Sequence, residues 1–188
     1  MKIKQFKNKI SKKVTNIFLR WGFTKKGLLT NSKGEWYLFS QLLLIFLHLL
    51  SPYPKIEYIT FPINLFFMIS GIGISTYGLS ISLKAFRDLG DNLTPLPYPM
   101  QESILIRNNS YKNSRHPLYK GILLVSLGIF VSTLSIIHLS LFISLSYLLK
   151  YKALKEEEML KIKFPEYEEY MKEVAAILEN IEYLDWRS

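Results

Sequence analysis

Residues 121–149 form a run of 29 positions without a charged side chain, bounded by Lys120 and Lys150. In a soluble helical core the apolar positions form a stripe and charged ones fill the opposite face. A run with no charged face suits a bilayer instead. Polar clusters stand at both edges: Arg115-His116-Pro117-Leu118-Tyr119-Lys120-Gly121 before it and Glu156-Glu157-Glu158 after it. Polar groups held beside a membrane are costly and are usually kept for function.

The rest of the chain repeats this segregation. Residues 1–33 carry ten Lys or Arg and no Asp or Glu, whereas 58–83 carries no charge at all. The 188 residues suggest one membrane domain, 34–188, behind a basic N-terminal segment, 1–33. The net charge of +9 points to anionic lipid headgroups, because the apolar runs argue against nucleic acid. With no cysteine, disulfides, thiolate metal sites and cysteine nucleophiles are excluded. No cleavable signal peptide is expected, since the first apolar run starts only at Trp36.

A crossing takes about 20 residues, and four are expected: 36–51, 58–83, 117–132 and 134–150. A single helix through the uncharged run would exceed about 40 Å, too long for one upright crossing. A helical hairpin turning at Ser132-Thr133-Leu134-Ser135 resolves this, with hydroxyls satisfying backbone groups at the bend. The hairpin also collects nearly all Lys and Arg on one face, leaving only Lys55 and Glu57 opposite. Both termini are therefore expected in the cytoplasm, with 151–188 as a cytosolic helical tail. In the N-terminal segment, Ile3, Phe6, Ile10, Val14, Ile17 and Trp21 recur every three or four residues among lysines. That pattern predicts an amphipathic helix in the headgroup plane. The expected fold class is all-α, an integral membrane helical protein.

Two cytosolic segments carry the candidate chemistry. Pro95, Pro97 and Pro99 keep the loop after the second span extended. Pro117 suits a helix's first turn and biases His116 toward extended backbone. Arg115, His116 and Tyr119 are thus presented at a helix N-terminus, where N–H groups attract acceptors. After the last span, Ala153, Leu160 and Phe164 define an apolar stripe that also contains Glu157; Glu156 lies on its edge and Glu158 points away. An inward Glu157 needs a partner, either a basic residue or a ligand. Pro165 restarts a helix whose Tyr167, Tyr170, Met171, Val174 and Leu178 share a face, which either packs on the core or lids a pocket. His48 and His138 lack ligand-spaced partners and are expected to be hydrogen-bonded span residues, so no metal is anticipated. No phosphate-binding glycine loop or nucleophile elbow occurs. Gly71-Ile72-Gly73 suits close helix packing.

The order Arg115-His116-Pro117-x-Tyr119, an apolar hairpin, Glu156-Glu157-x-x-Leu160-x-x-x-Phe164, then Tyr167-x-x-Tyr170 closely resembles the isoprenylcysteine carboxyl methyltransferase and phospholipid methyltransferase superfamily. Leu89-Gly90 and Leu93-Thr94-Pro95-Leu96-Pro97 are similar to the loop of its bacterial and plastid-type members. The resemblance implies a membrane enzyme that transfers a methyl group from S-adenosyl-L-methionine to a lipophilic acceptor: an isoprenylcysteine-like carboxylate, a phospholipid amine or another small hydrophobic molecule. It places Arg115, His116, Pro117, Tyr119, Glu156 and Glu157 at the cofactor, with Tyr167 and Tyr170 over it and Gly71 and Gly73 as further candidates. His116 and Tyr119 are the candidate catalytic bases for an amine or hydroxyl nucleophile. Two departures fall in the tail. Phe164-Pro165-Glu166-Tyr167 is one residue shorter than the frequent pattern, and Val174-Ala175-Ala176-Ile177 replaces a basic-proline ending. Two competing expectations remain: an NADPH-dependent membrane reductase of the sterol-reductase type and a non-catalytic lipid-binding membrane protein. The reductase would want cations for a 2′-phosphate, yet acidic residues outnumber basic ones from Lys150 onward.

Overall fold

A computed structural model describes residues 18–54 and 61–187. All regular structure among them is helical: α1 Lys25–Thr30, α2 Glu35–Leu47, α3 Ile63–Leu89, α4 Pro117–Thr133, α5 Ile136–Lys163 and α6 Tyr167–Glu173, with short 3₁₀ turns at Gly90–Asn92 and Asn109–Lys112. Most of the proposed N-terminal amphipathic helix, together with Lys55 and Glu57, lies outside the described residues. Of its stripe only Trp21 is described, just past a helical end at 18–20. The chain does not stay helical to residue 33. It turns at Gly22 (φ 83°) and re-enters as α1, capped by the Thr24 side chain on Gly27 N–H.

One helix, Ile63–Asn92, is long and apolar enough to cross a membrane; Glu35–Leu47 and Pro117–Thr133 are apolar but shorter. Phe66, Ile69, Ile72, Leu79 and Phe86 of α3, and Leu42, Leu43 and Phe46 of α2, are all exposed. The expected second crossing begins in part outside the described residues, and its helix starts at Ile63.

The hairpin turn falls where the hydroxyl cluster predicts. α4 ends at Thr133, Leu134 adopts the left-handed conformation (φ 48°), and Ser135 stands at the N-cap position of α5 without a side-chain capping bond. Ser132 and Thr133 hydroxyls return to the Ile129 carbonyl at 2.9 and 2.8 Å. Ser135 Oγ accepts from Tyr53 N–H at 2.9 Å and donates to its carbonyl at 3.1 Å. The buried hydroxyl thereby ties the end of the α2 segment to the hairpin. His48 and His138 bond as isolated histidines do. His48 Nδ1 donates to Leu44 O (2.7 Å), its Nε2 accepts from Ser126 Oγ (2.6 Å), and His138 Nε2 donates to His48 O (3.3 Å).

α3 and α4 pack backbone to backbone. Gly71, Ser75, Gly78 and Ser82 line one face of α3, and Gly121 and Gly128 face them from α4. A Cβ on Gly128 would stand 2.5 Å from the Gly71 carbonyl oxygen, and one on Gly121 would stand 2.5 Å from that of Gly78. Small residues at this spacing allow such an approach. Gly73 is different: a Cβ there meets nothing within 4 Å. Gly71 is thus a packing residue and Gly73 faces outward.

Two expected boundaries change. The last span and the glutamate helix are one continuous α5 of 28 residues, because nothing between Lys150 and Lys163 breaks helical hydrogen bonding. The tail helix, expected to include Val174 and Leu178, stops at Glu173. Beyond it the chain is extended, since the carbonyls of Ala175 and Ala176 accept from the N–H groups of Arg115 (2.9 Å) and His116 (2.8 Å). Those two donors lie just before α4 and have no intrahelical acceptor. Ala175, Ala176 and Ile177 are correspondingly buried against the α4 entry.

Candidate functional site

At the α4 entry, the non-helical residues Ser114, Arg115 and His116 deliver two side chains onto α5; His116 sits at φ −124°, ψ 60°, short of the extended backbone expected before Pro117. Glu157 is 2% exposed, inward as the stripe requires, and its partner is the basic residue. Arg115 Nε donates to Oε1 at 2.7 Å and Nη2 to Oε2 at 3.4 Å. His116 Nε2 donates to Oε1 at 2.9 Å, Trp186 Nε1 to Oε2 at 2.6 Å, and Tyr167 Oη to Oε1 at 3.3 Å. Burial pushes the Glu157 carboxyl up, but the hydrogen bonds and charges of His116 and Arg115 outweigh it and hold the pKa at about 2.

Arg115 is equally committed. Besides Glu157 it donates through Nη1 to the carbonyls of Met171 (2.8 Å) and Val174, and through Nη2 to that of Trp186 (3.4 Å). All three of its nitrogens are used by the protein itself. Arg115, which also borders the cavity described next, thus acts as a clamp that ties α4, α5, α6 and the returning tail together.

Beside this cluster lies a cavity of about 350 Å³, within the ~300–1,000 Å³ usual for small-molecule sites. Its lining combines apolar side chains, among them Leu38, Phe86, Leu89, Ile104, Leu105 and Leu160, with the polar groups of Tyr111, His116, Tyr119, Lys152, Glu156 and Gln41. The order of importance among the glutamates is thereby inverted for ligand contact. Glu157 is enclosed by protein groups, while Glu156 lines the cavity, its side chain 26% exposed. Glu156 Oε2 accepts from Tyr119 Oη at 2.9 Å and lies 3.8 Å from His116 Nδ1. Glu158 points away and pairs with Lys155 at 2.8 Å, as expected of a solvated charge.

His116 and Tyr119 stack at 5.3 Å with planes 3° apart. Each already directs a proton at a carboxylate, so a base at this site would have to use His116 Nδ1. Tyr167 and Tyr170 are both core and wall. Their rings meet edge-on at 5.6 Å, Tyr170 Oη donates to the Tyr111 carbonyl, and both line the cavity. Pro117 is the first residue of α4 and takes no part in the lining, and Gly71 and Gly73 are also outside it.

The proline loop closes the cavity. Pro95 and Pro99 face it, whereas Leu96 and Pro97 are buried on the other side, Pro97 beside Gly34. Three side chains hold this cover. Asp88 accepts from Ser110 N and Oγ at 3.0 and 2.5 Å, Asn92 accepts from Ile104 N at 2.8 Å, and Lys163 Nζ donates to Gln101 O at 2.9 Å, Ser103 Oγ at 2.8 Å and the Met100 carbonyl. Lys163→Met should accelerate amide exchange across 99–106 while leaving α4 and α5 protected, measurable by exchange mass spectrometry; unchanged loop protection would show that Lys163 does not hold it.

Lys152, Gln41 and Trp186 were not singled out from the sequence. For Lys152 the signal was present: Leu141, Leu145 and Leu149 form the buried stripe of α5, and Lys152 and Glu156 continue it at three and seven residues on. Gln41 lies among α2 apolar residues, and Trp186 follows a stretch with no periodicity. Comparison of the chain with protein-family models, curated proteins and solved structures gave no match. Among the described residues no cluster of three metal-ligating side chains occurs.

Proposed function

We propose that this protein is a multi-pass membrane methyltransferase, with four crossings and both termini in the cytoplasm, that uses S-adenosyl-L-methionine to methylate a lipophilic acceptor. The observation that carries this reading is the joining of Arg115-His116 to Glu157 across 42 positions of chain, beside a cavity lined by both polar and apolar side chains. The exposed apolar faces of α2 and α3, with the uncharged hairpin, support the membrane setting.

The cavity's donor set fits the cofactor. Glu156 is an acceptor for an ammonium or ribose hydroxyls, and the tyrosine and phenylalanine rings offer faces to a cation. When bound, S-adenosyl-L-methionine supplies an electrophilic methyl group on a sulfonium sulfur. The chain's contribution is to position and to exclude water. The proline loop covers the cavity, the apolar lining receives the acceptor's chain, and the Arg115–Glu157 clamp fixes the helices that carry His116, Tyr119 and Glu156.

Detergent-purified wild-type protein should bind S-adenosylhomocysteine in calorimetric titration. Glu156→Ala should lower that affinity by about tenfold or more, the worth of a charged hydrogen bond of ~1.5–3 kcal/mol. Tyr119→Phe should cost less, since it removes only the group that orients Glu156. A well-folded wild type that binds neither the cofactor nor its product would sink the reading.

A further inference from the structure

With every nitrogen of Arg115 occupied by protein acceptors, the cavity's other lining cation is Lys152. Lys152 is 3% exposed and forms no ion pair with a carboxylate among the described residues. Its ammonium donates to Gln41 Oε1 at 2.7 Å and lies 5.4 Å from the centroid of the Tyr119 ring. The groups around it are the neutral Gln41 amide from α2, the Tyr119 ring from α4 and the Glu156 carboxylate one turn onward on α5.

A buried ammonium matched only to a neutral amide is poorly compensated. Because an ammonium can only donate, Gln41 must turn its oxygen toward Lys152, which leaves the two amide N–H donors free for something else. Two N–H groups of Lys152 also remain. Both side chains line the cavity, so these donors converge on space a ligand can enter.

We propose that Lys152 and Gln41 form an oxyanion seat: they hold a carboxylate or phosphate oxygen of the bound ligand in the cavity. The identity of that ligand rests on the methyltransferase reading, under which the oxyanion has two sources. It is either the amino-acid carboxylate of the cofactor, with Glu156 one turn away to receive the ammonium, or the acidic head of the lipophilic acceptor. Burial, partly offset by Glu156, lowers the Lys152 pKa to about 8. An oxyanion in contact favours the charged form, so binding at mildly alkaline pH takes up a proton.

Two titrations separate the sources. The first compares S-adenosylhomocysteine with 5′-methylthioadenosine, which lacks the amino-acid end. The second displaces a fluorescent long-chain carboxylate with dodecyl phosphate. If the cofactor supplies the oxyanion, Lys152→Met loses about tenfold or more for S-adenosylhomocysteine and nothing for methylthioadenosine. If the acceptor supplies it, the same variant keeps S-adenosylhomocysteine but loses the amphiphile. In the affected arm, Lys152→Arg retains binding and Gln41→Leu weakens it. Wild-type binding near pH 8.5, measured in buffers of different ionisation enthalpy, shows proton uptake that Lys152→Arg abolishes. A folded Lys152→Met, checked by thermal unfolding, that binds both ligands as wild type does would overturn the seat. Failure of wild type to bind S-adenosylhomocysteine removes the methyltransferase reading alone, and the amphiphile arm then decides the seat. If that arm also shows no binding, the seat falls too.

Discussion

Glu157→Ala should unfold at a far lower temperature than wild type, with a loss of about 3–5 kcal/mol, because it leaves the Arg115 guanidinium buried beside a void. Four side chains point donors at that carboxylate, and none has another acceptor of comparable strength. Glu156→Ala removes one hydrogen bond from a partly exposed group and should cost only about 1 kcal/mol. Under the proposed function the adjacent glutamates thus separate: Glu156→Ala should weaken ligand binding, and Glu157→Ala the fold. The same clamp sets the acid limit. The Glu157 pKa is depressed from its ordinary 4.5 to about 2, so its stabilisation is complete above about pH 4.5 and declines as pH falls toward 2. The shift corresponds to about 3 kcal/mol. Circular-dichroism melts over a pH series check both statements: wild type should lose stability across that window, and Glu157→Gln should show a flatter acid limb. An alanine variant as stable as wild type would remove the clamp.

The second large effect lies between α3 and α4. Gly128→Leu should force α3 and α4 apart, since even a Cβ there would stand 2.5 Å from a backbone oxygen. Overpacking of this kind costs about 1–3 kcal/mol, and more when backbone is what must move. Gly73→Ala is the matched control. It has open space around it and should be neutral or add up to about 1 kcal/mol through helix propensity. If both variants melt alike, the close approach of α3 and α4 is not what holds the pair.

Legibility in the sequence followed the physics of each segment. The hairpin was readable because length, charge and three neighbouring hydroxyls all pointed to a turn near Leu134. The inward Glu157 was readable because helical periodicity is strict and a carboxylate on an apolar stripe stands out. Its partner was not, since periodicity on one helix is silent about what packs against it. Both possibilities named for Glu157 were sound, and tertiary structure selected Arg115. The tail was misread for a related reason. Tyr167, Tyr170, Met171, Val174 and Leu178 do fit a helical face, but unpaired N–H groups at Arg115 and His116 compete for the backbone after Glu173. That competition depends on residues about 60 positions away. Lys152 continues the buried stripe of its own helix, but a lysine at the end of an apolar run ordinarily snorkels, and its partner Gln41 lies on another helix.

The unbroken course of α5 has a mechanical consequence. From Ser135 to Glu157 the helix rises about 33 Å without proline, bulge or bend to absorb motion. A pivot of about 5° at the hairpin end would carry the two glutamates sideways by roughly 3 Å, a full hydrogen-bond length. Under the four-crossing reading, hydrophobic mismatch is one source of helix tilt. Bilayer thickness would then set the spacing between Glu156 and the groups facing it from α4, making the lipid environment a tuning variable of the cavity's polar groups.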